Sequence, residues 1–373
     1  MTTTLGDHRL DQIDTKLQNG ERLDSADGLF LLREAPLADL GHLAVGVRNQ
    51  KNPPDEVTFV IDSNPNYTNV CVTDCSFCAF YRKPGHADGY SLTVDEVMEK
   101  VGRADADGAT TVLLQGGHNP NIPFEFYPEL IRESRRRYPK ITPHFFSASE
   151  IHTMAEVSAK STREVLETLR DAGQVSLPGG GAEVLSDRVR RKVAAKKGGV
   201  DTWLQVHREA HELGLKSTAT MMYGHIETDD ELIEHFDHIR DLQDLHGGFT
   251  AFVPWSYKSG NTPMQKHIEE SGRKPAGAAR YLRILATARL YLDNFDHIQA
   301  SWFSEGKKTG VVALGFGADD FGGTLFEENV HLATGHDNKT TVDETKLLIE
   351  EAGFVPVQRT TLYERLQRFE RSE

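Results

Sequence analysis

The sequence predicts an α/β fold, a TIM-type (β/α)8 barrel with an N-terminal helical cap and C-terminal helices. Three observations carry the prediction. Eight short β-branched or apolar runs recur at a fairly regular interval along the chain. Amphipathic stretches with helix-capping residues lie between them. Nearly every run ends in glycine or polar side chains, as expected of a barrel whose chemistry gathers at the C-terminal edge of its strands.

The runs are residues 57–61, 110–114, 141–146, 174–177, 217–222, 249–253, 297–302 and 310–314. Short runs of this composition read as parallel strands buried on both faces. Among the intervening helices, Thr93 and Glu96 are spaced as a capping box ahead of one, and residues 161–171, 202–213 and 229–245 form others. Gly173 and Gly214 stand where a helix C-cap turns left-handed. Similar unit lengths favour closure over a doubly wound open sheet. No linker rich in Pro, Gly or Ser divides the chain, so residues 1–373 are expected to be one domain, with a cap over 1–55, the barrel over 56–325 and C-terminal helices over 326–373 closing the opposite end.

Composition narrows the function. A net charge of −14 argues against a nucleic-acid partner, because phosphate binding needs a basic surface. No apolar run reaches the roughly 18 residues of a membrane span. Residues 1–8 lack the basic-then-apolar pattern of a secretory signal. A cytoplasmic enzyme acting on a small molecule, with no membrane partner, is the expectation. The basic stretch Arg188, Arg190, Arg191, Lys192, Lys196 and Lys197 reads as a solvated helix face and the loop after it, with a lid over an acidic substrate as the alternative.

All three cysteines, Cys71, Cys75 and Cys78, fall within one short loop. An odd number at tight spacing is no disulfide framework. Three thiolates on one loop bind metal. Zinc needs a fourth protein ligand, for which His86 is available, and an ordinary four-iron cluster takes four cysteines. A cluster with one iron left open fits the count of three, with a zinc knuckle as the alternative.

Residues just after the strands are the candidates for chemistry. His118 and His225, read as standing on neighbouring strand ends, offer an acid, a base or a hydrogen-bond donor. Tyr223, Tyr257, Asp319 and Asp320 are expected to face substrate with them, although the two aspartates also suit a helix start. The catalytic candidates are thus His118, His225, Tyr223, Asp319 and Asp320.

The spacing of the cysteines, with Phe77 just before the last, resembles the radical S-adenosylmethionine (SAM) enzymes. Residues 66–71, 78–82, 114–120, 177–183, 221–228 and 252–255 resemble one subgroup, which comprises the futalosine-pathway menaquinone enzymes and the radical modules that make the deazaflavin F0. The resemblance runs from about residue 55 to residue 325. It implies a radical SAM barrel, a 4Fe–4S cluster held by Cys71, Cys75 and Cys78, and SAM chelated to the open iron. By position, Gln115, Gly116 and Gly117 take the segment that holds the methionyl amino group, where glycine permits close approach. Gly180 belongs to the glycine-rich turn after the fourth strand. Glu150 and Glu183 are implied for the SAM ribose or amino group, with a salt bridge as the alternative reading. Phe77 and Tyr81 are implied to pack against cluster and adenine.

The likeness is greatest to the cyclase branch of the subgroup, especially in the Cys78 to Arg82 phrase. That branch implies dehypoxanthine futalosine as substrate. A 5′-deoxyadenosyl radical takes the ribose C4′ hydrogen, the carbon radical closes on the benzoate ring, and loss of a proton and an electron restores aromaticity. Arg82, His118, His225 and Tyr257 are the expected substrate contacts, and a flavodoxin or ferredoxin the expected reductant. The rival readings are an aminofutalosine synthase, an F0-synthase module, and, outside enzymes, an iron–sulfur carrier or zinc-knuckle protein.

Overall fold

The runs of β-branched residues pair side by side, in register and mostly parallel. The computed structural model describes residues 5–337 and 339–370, so the first four residues of the N-terminal segment considered above lie outside it. Its strands are β1 (Glu56–Val60), β2 (Asp62–Ser63), β3 (Thr111–Leu114), β4 (Thr142–Phe145), β5 (Ser176–Leu177), β6 (Lys216–Tyr223), β7 (Phe249–Ser256), β8 (His297–Ile298), β9 (Asp320–Gly323), β10 (Val355–Arg359) and β11 (Arg365–Arg368).

One sheet runs β2-β3-β4-β5-β6-β7-β8, every neighbouring pair parallel. The other runs β11-β10-β1-β9. They join at both ends. β1 continues into β2 across Ile61, and a parallel bridge between Gln299 and Asp320 ties the end of β8 to β9. Counting β1 and β2 as one station, the ring closes through eight stations, as a TIM-type barrel does. Buried apolar side chains fill the space between strands and outer helices, among them Val112, Leu114, Phe145, Ala219, Met221 and Phe252. The expected helix caps form: Thr93 with Glu96 and Ser161 with Glu164 make capping boxes, and Gly173 and Gly214 adopt φ of +111° and +80°.

The eighth strand lies elsewhere than expected. Residues 310–314 belong to the helix Lys307–Leu314, whose buried residues Gly310, Ala313 and Leu314 follow helical, not strand, spacing. The strand of that station is β9, whose buried Asp320 is neutralised by Arg359 rather than being apolar. The run 297–302 is also a strand only over His297–Ile298, and Trp302 already starts a helix.

Residues before the barrel form the helices Leu5–Gln18, Ser25–Arg33 and Leu37–Lys51. The second and third pack on the outer helix Ala278–Tyr291, where Arg283 donates to the Leu31 and Ala35 carbonyls. The segment after β9 is not simply helical. Residues 324–333 cross the mouth of the barrel, bridged to it at Asn64–Glu328 and by Asn329 Nδ2 donating to Asn66 Oδ1 at 3.1 Å. The helix Val342–Glu351 then leads to β10 and β11, two strands where C-terminal helices were expected. The turn between them enters the barrel floor. There Thr361 Oγ1 meets Thr111 Oγ1 at 2.6 Å, and the Tyr363 ring stacks on His297 with centroids 3.8 Å apart. Closure of the opposite end is therefore achieved by a strand turn.

Candidate active site

The cysteine loop follows β2 and is pinned from several sides by its backbone. Cys71 N–H donates to Arg82 O at 2.9 Å, Val72 N–H to His118 O at 3.0 Å, and Ser76 N–H to Val193 O at 2.9 Å. Cys71 and Cys75 are buried and Cys78 is half-buried. The Thr73 hydroxyl sits between two of them, 3.0 Å from Cys71 Sγ and 3.6 Å from Cys75 Sγ. Burial pushes the Cys75 thiol up to about 11 and raises Cys78 as well, with nearby Lys197 acting in the other direction. Three soft donors on one loop, with no further cysteine in the chain, fit a four-iron cluster that leaves one iron to another ligand.

Lys197 places a largely buried ammonium at this site. Its Nζ lies 2.9 Å from Glu183 Oε1 and 5.4 Å over the Phe77 ring. Burial opposes its charge, but Cys75 and Glu183 outweigh that and hold the ammonium well above its usual range. Arg190, buried, builds the turn that presents it, donating to the carbonyls of Gly181, Ala182 and Gly198 at 2.7, 2.8 and 3.1 Å. The basic stretch is therefore only partly a solvated face. Arg190 and Lys197 point inward, a fact that their neighbours in sequence hide.

The glycine pair after β3 has a packing reason. A Cβ on Gly116 would lie 2.5 Å from Tyr67 Cζ, and one on Gly117 would lie 2.2 Å from Val70 O, just before Cys71. The Tyr67 hydroxyl donates to Glu150 at 2.7 Å. Glu150 also accepts from Gly116 N–H at 2.9 Å, Ser147 N–H at 2.8 Å and the Ser147 hydroxyl at 2.6 Å. Its carboxylate is committed to the scaffold behind the loop, and burial raises its pKa.

Inside the barrel is a cavity of about 240 Å3. Its walls carry Asp62, Gln115, His144, Thr218, Thr220 and Gln299; its roof is Glu328 and His331 beside Trp255 and Phe303; its floor is Arg359 and Tyr363. Arg359 Nη2 donates to Asp320 Oδ1 at 2.9 Å, and its Nε contacts the other oxygen. The His331 ring packs 5.5 Å from Trp255 and 5.3 Å from Phe303 between centroids, with its Nε2 buried and unpartnered among the described residues. Burial lowers His144 to about 3, so this imidazole is neutral; its Nδ1 lies 2.7 Å from Ser176 Oγ.

Of the residues singled out in the sequence, Gln115 and Gly180 line this lumen. Phe77, Tyr81 and Glu183 gather around the cysteine loop, as the links of Lys197 to Phe77 and Glu183 and the charge coupling of Tyr81 to all three thiols show. His118 stands behind the loop, its Nδ1 at 2.5 Å from Thr153 Oγ1, and burial lowers it to about 3. The other candidates stand away from the lumen, all but Tyr223 with their polar groups engaged. The Arg82 guanidinium donates to the carbonyls of Ala79, Phe80 and Tyr81 at 3.1, 3.3 and 2.9 Å and staples its own loop. His225 spends Nε2 on Met222 O and Nδ1 on Ile226 N–H, both at 2.8 Å. It follows β6 whereas His118 follows β3, so two strands separate them and they are not neighbours. Tyr223 is fully buried near Glu305 and Tyr281. Tyr257 Oη pairs with Thr262 Oγ1 at 2.5 Å. Asp319 is held by Arg289, His297 and the Ile298 N–H, and Asp320 by Arg359 and Thr58.

Asp62, Thr218, Thr220, Gln299 and His331 are lumen residues that strand-end reasoning passes over. Alternation was the available signal: Thr218 and Thr220 are polar residues two apart on one strand, hence on one face.

Comparison with known proteins agrees with this architecture. A radical SAM superfamily profile matches residues 66–239, and a CofH/MqnC C-terminal region profile matches residues 246–371. The chain is 39% identical to cyclic dehypoxanthine futalosine synthase of Halalkalibacterium halodurans, over 98% of this chain and 97% of that one. It is also 39% identical to aminodeoxyfutalosine synthase of Thermus thermophilus, over 98% of both. A crystal structure of methylornithine synthase shares the fold at a TM-score of 0.70 and 17% identity, covering 91% of this chain and 95% of that one. With likeness of this depth along its whole length, the chain belongs to the radical SAM superfamily, among the enzymes with a CofH/MqnC-type C-terminal region, whose chemistry uses a 4Fe–4S cluster and S-adenosylmethionine.

Proposed function

We propose that this enzyme converts dehypoxanthine futalosine to its cyclic product in menaquinone biosynthesis, in the cytoplasm, with a flavodoxin or ferredoxin as reductant. The observation that carries the reading is the likeness to cyclic dehypoxanthine futalosine synthase over 98% of the chain. When bound, cluster and SAM together supply a 5′-deoxyadenosyl radical. Cys71, Cys75 and Cys78 are the residues assigned to hold the cluster, and Lys197 keeps a positive charge beside them. The lumen below is the substrate chamber. Its walls shield a carbon radical from water, and Trp255, Phe303 and His331 offer ring faces to a benzoate. Gln115, Gln299, Thr218 and Thr220 offer donors and acceptors for ribose hydroxyls.

Aminodeoxyfutalosine synthase is the second reading, because its identity and its share of this chain are the same. The deciding experiment is anaerobic reconstitution followed by incubation with dehypoxanthine futalosine carrying deuterium at C4′. Cyclic product and deuterium in 5′-deoxyadenosine are expected. Turnover of an enolpyruvyl benzoate instead, with no deuterium transfer, would overturn the reading in favour of the second.

A further inference from the structure

We infer that Asp62 is the base that takes the proton released when the substrate ring regains aromaticity. The inference rests on the cyclase reading and goes beyond it, since that reading leaves the proton acceptor unassigned.

The geometry is that of a carboxylate built to stay in place and stay available. Asp62 lies on β2 at the lumen wall and is 7% exposed. Its backbone is clamped: the N–H donates to Thr324 Oγ1 at 3.0 Å, and the C=O accepts from the Thr324 hydroxyl at 3.0 Å and Phe326 N–H at 3.1 Å. Oδ1 accepts from Leu325 N–H at 2.8 Å. The Thr324 N–H pulls on the carboxylate more weakly, and no salt bridge pairs it with a cation among the described residues. Gly323 makes the room, because a Cβ there would lie 2.2 Å from both carboxylate oxygens.

The other acids near the lumen are engaged. Asp320 is held by Arg359, and Glu328 accepts from the Val330 and His331 N–H groups while facing His331 Nδ1 at 3.6 Å. His144 is a poor base, since burial lowers it to about 3. Asp62 differs in the useful direction. Burial pushes it up to about 6, against the pull of Leu325 N–H and Arg359 and with the repulsion of Asp320, so it is ionised at neutral pH and more basic than an ordinary carboxylate.

Addition of the ribose carbon radical to the ring leaves a cyclohexadienyl radical with one tetrahedral C–H. That bond breaks, its proton goes to an Asp62 oxygen, and its electron pair returns to the ring. One electron then leaves to a one-electron oxidant, an oxidised iron–sulfur centre. The proton leaves Asp62 for water as product departs.

The test compares reconstituted wild type, Asp62→Asn, Asp62→Glu and Gly323→Ala on C4′-deuterated dehypoxanthine futalosine. It reads cyclic product per 5′-deoxyadenosine and deuterium transfer, with cluster absorbance and thermal midpoint recorded for each. In Asp62→Asn the product ratio is expected to fall about 100-fold while deuterium still reaches deoxyadenosine. Asp62→Glu recovers part of the ratio. Gly323→Ala, which keeps the acid but places a methyl where it sits, uncouples likewise. An unchanged ratio in Asp62→Asn overturns the inference whatever Gly323→Ala does, as does a loss confined to KM with product and deoxyadenosine falling together, the mark of a binding residue. Should wild type not turn over this substrate at all, the cyclase reading falls and the inference with it; wild-type turnover with a coupled Asp62→Asn removes the inference alone.

Discussion

The ammonium of Lys197 and the carboxylate of Glu183 meet at 2.9 Å with side-chain exposures of 14% and 3%, so the cysteine loop is backed by an ion pair nearly removed from water. Breaking one member of such a pair strands the other charge. Lys197→Met is expected to cost about 3–5 kcal/mol of stability. Adding Glu183→Gln should return most of it. Urea unfolding of the metal-free single and double variants measures the coupling, and additive losses would contradict a direct pair.

Each of Cys71→Ala, Cys75→Ala and Cys78→Ala is expected to abolish deoxyadenosine formation and lower bound iron, because the chain has no spare cysteine to substitute. Iron and sulfide assays with mass spectrometry of SAM products check this. Full activity in any one variant would remove that cysteine from the ligand set.

Acid is expected to destabilise the fold from about pH 6.5 downward, above the range in which ordinary carboxylates titrate. Burial holds His207 far below its usual range and His118, His144, His211 and His235 at about 3. In the unfolded chain a histidine titrates near 6.5, so below that pH the unfolded state binds more protons. Stability is complete above about pH 6.5 and falls as the pH drops from there toward 3, by up to about 1.4 kcal/mol per pH unit for each such ring. His207 and His211 sharpen the effect by sharing the Ser217 hydroxyl, at 3.0 and 2.8 Å. The urea midpoint should decline between pH 7 and 5, and His235→Gln should flatten the decline. A pH-independent midpoint would refute the assignment.

Gly117→Ala is expected to displace the strand of chain leading into Cys71, since its Cβ would sit 2.2 Å from Val70 O, a backbone atom. Overpacking of this kind costs about 1–3 kcal/mol. The expected readout is a lower thermal midpoint together with poorer iron retention. Gly108→Ala, at a position with open space but φ of +83°, serves as a control for backbone strain without collision.

Most of the barrel was legible because buried strands and capped helices leave short-range marks. The eighth station was not: β9 earns its burial through the Asp320–Arg359 pair, a contact spanning 39 residues that no local pattern announces. The cysteine loop was legible by counting thiols. The lumen was harder, because Asp62, His144, Gln299 and His331 come from separate strands and a crossing segment and converge only once the ring closes. His225 illustrates the converse. A histidine after a strand end looks available in sequence, yet its two ring nitrogens are consumed by the turn it stands in.

The placement of β1 between β9 and β10 bears on how the chain matures on the ribosome. The first barrel strand is made long before its partners, residues 320–323 and 355–358. Until they emerge, both edges of a strand carrying Val57 and Phe59 stand open, so ring closure is a late and long-range event. Nascent chains stalled before β9 and β10 are thus the forms most in need of chaperone protection, and a cluster inserted ahead of closure would be loaded into a half-built vessel.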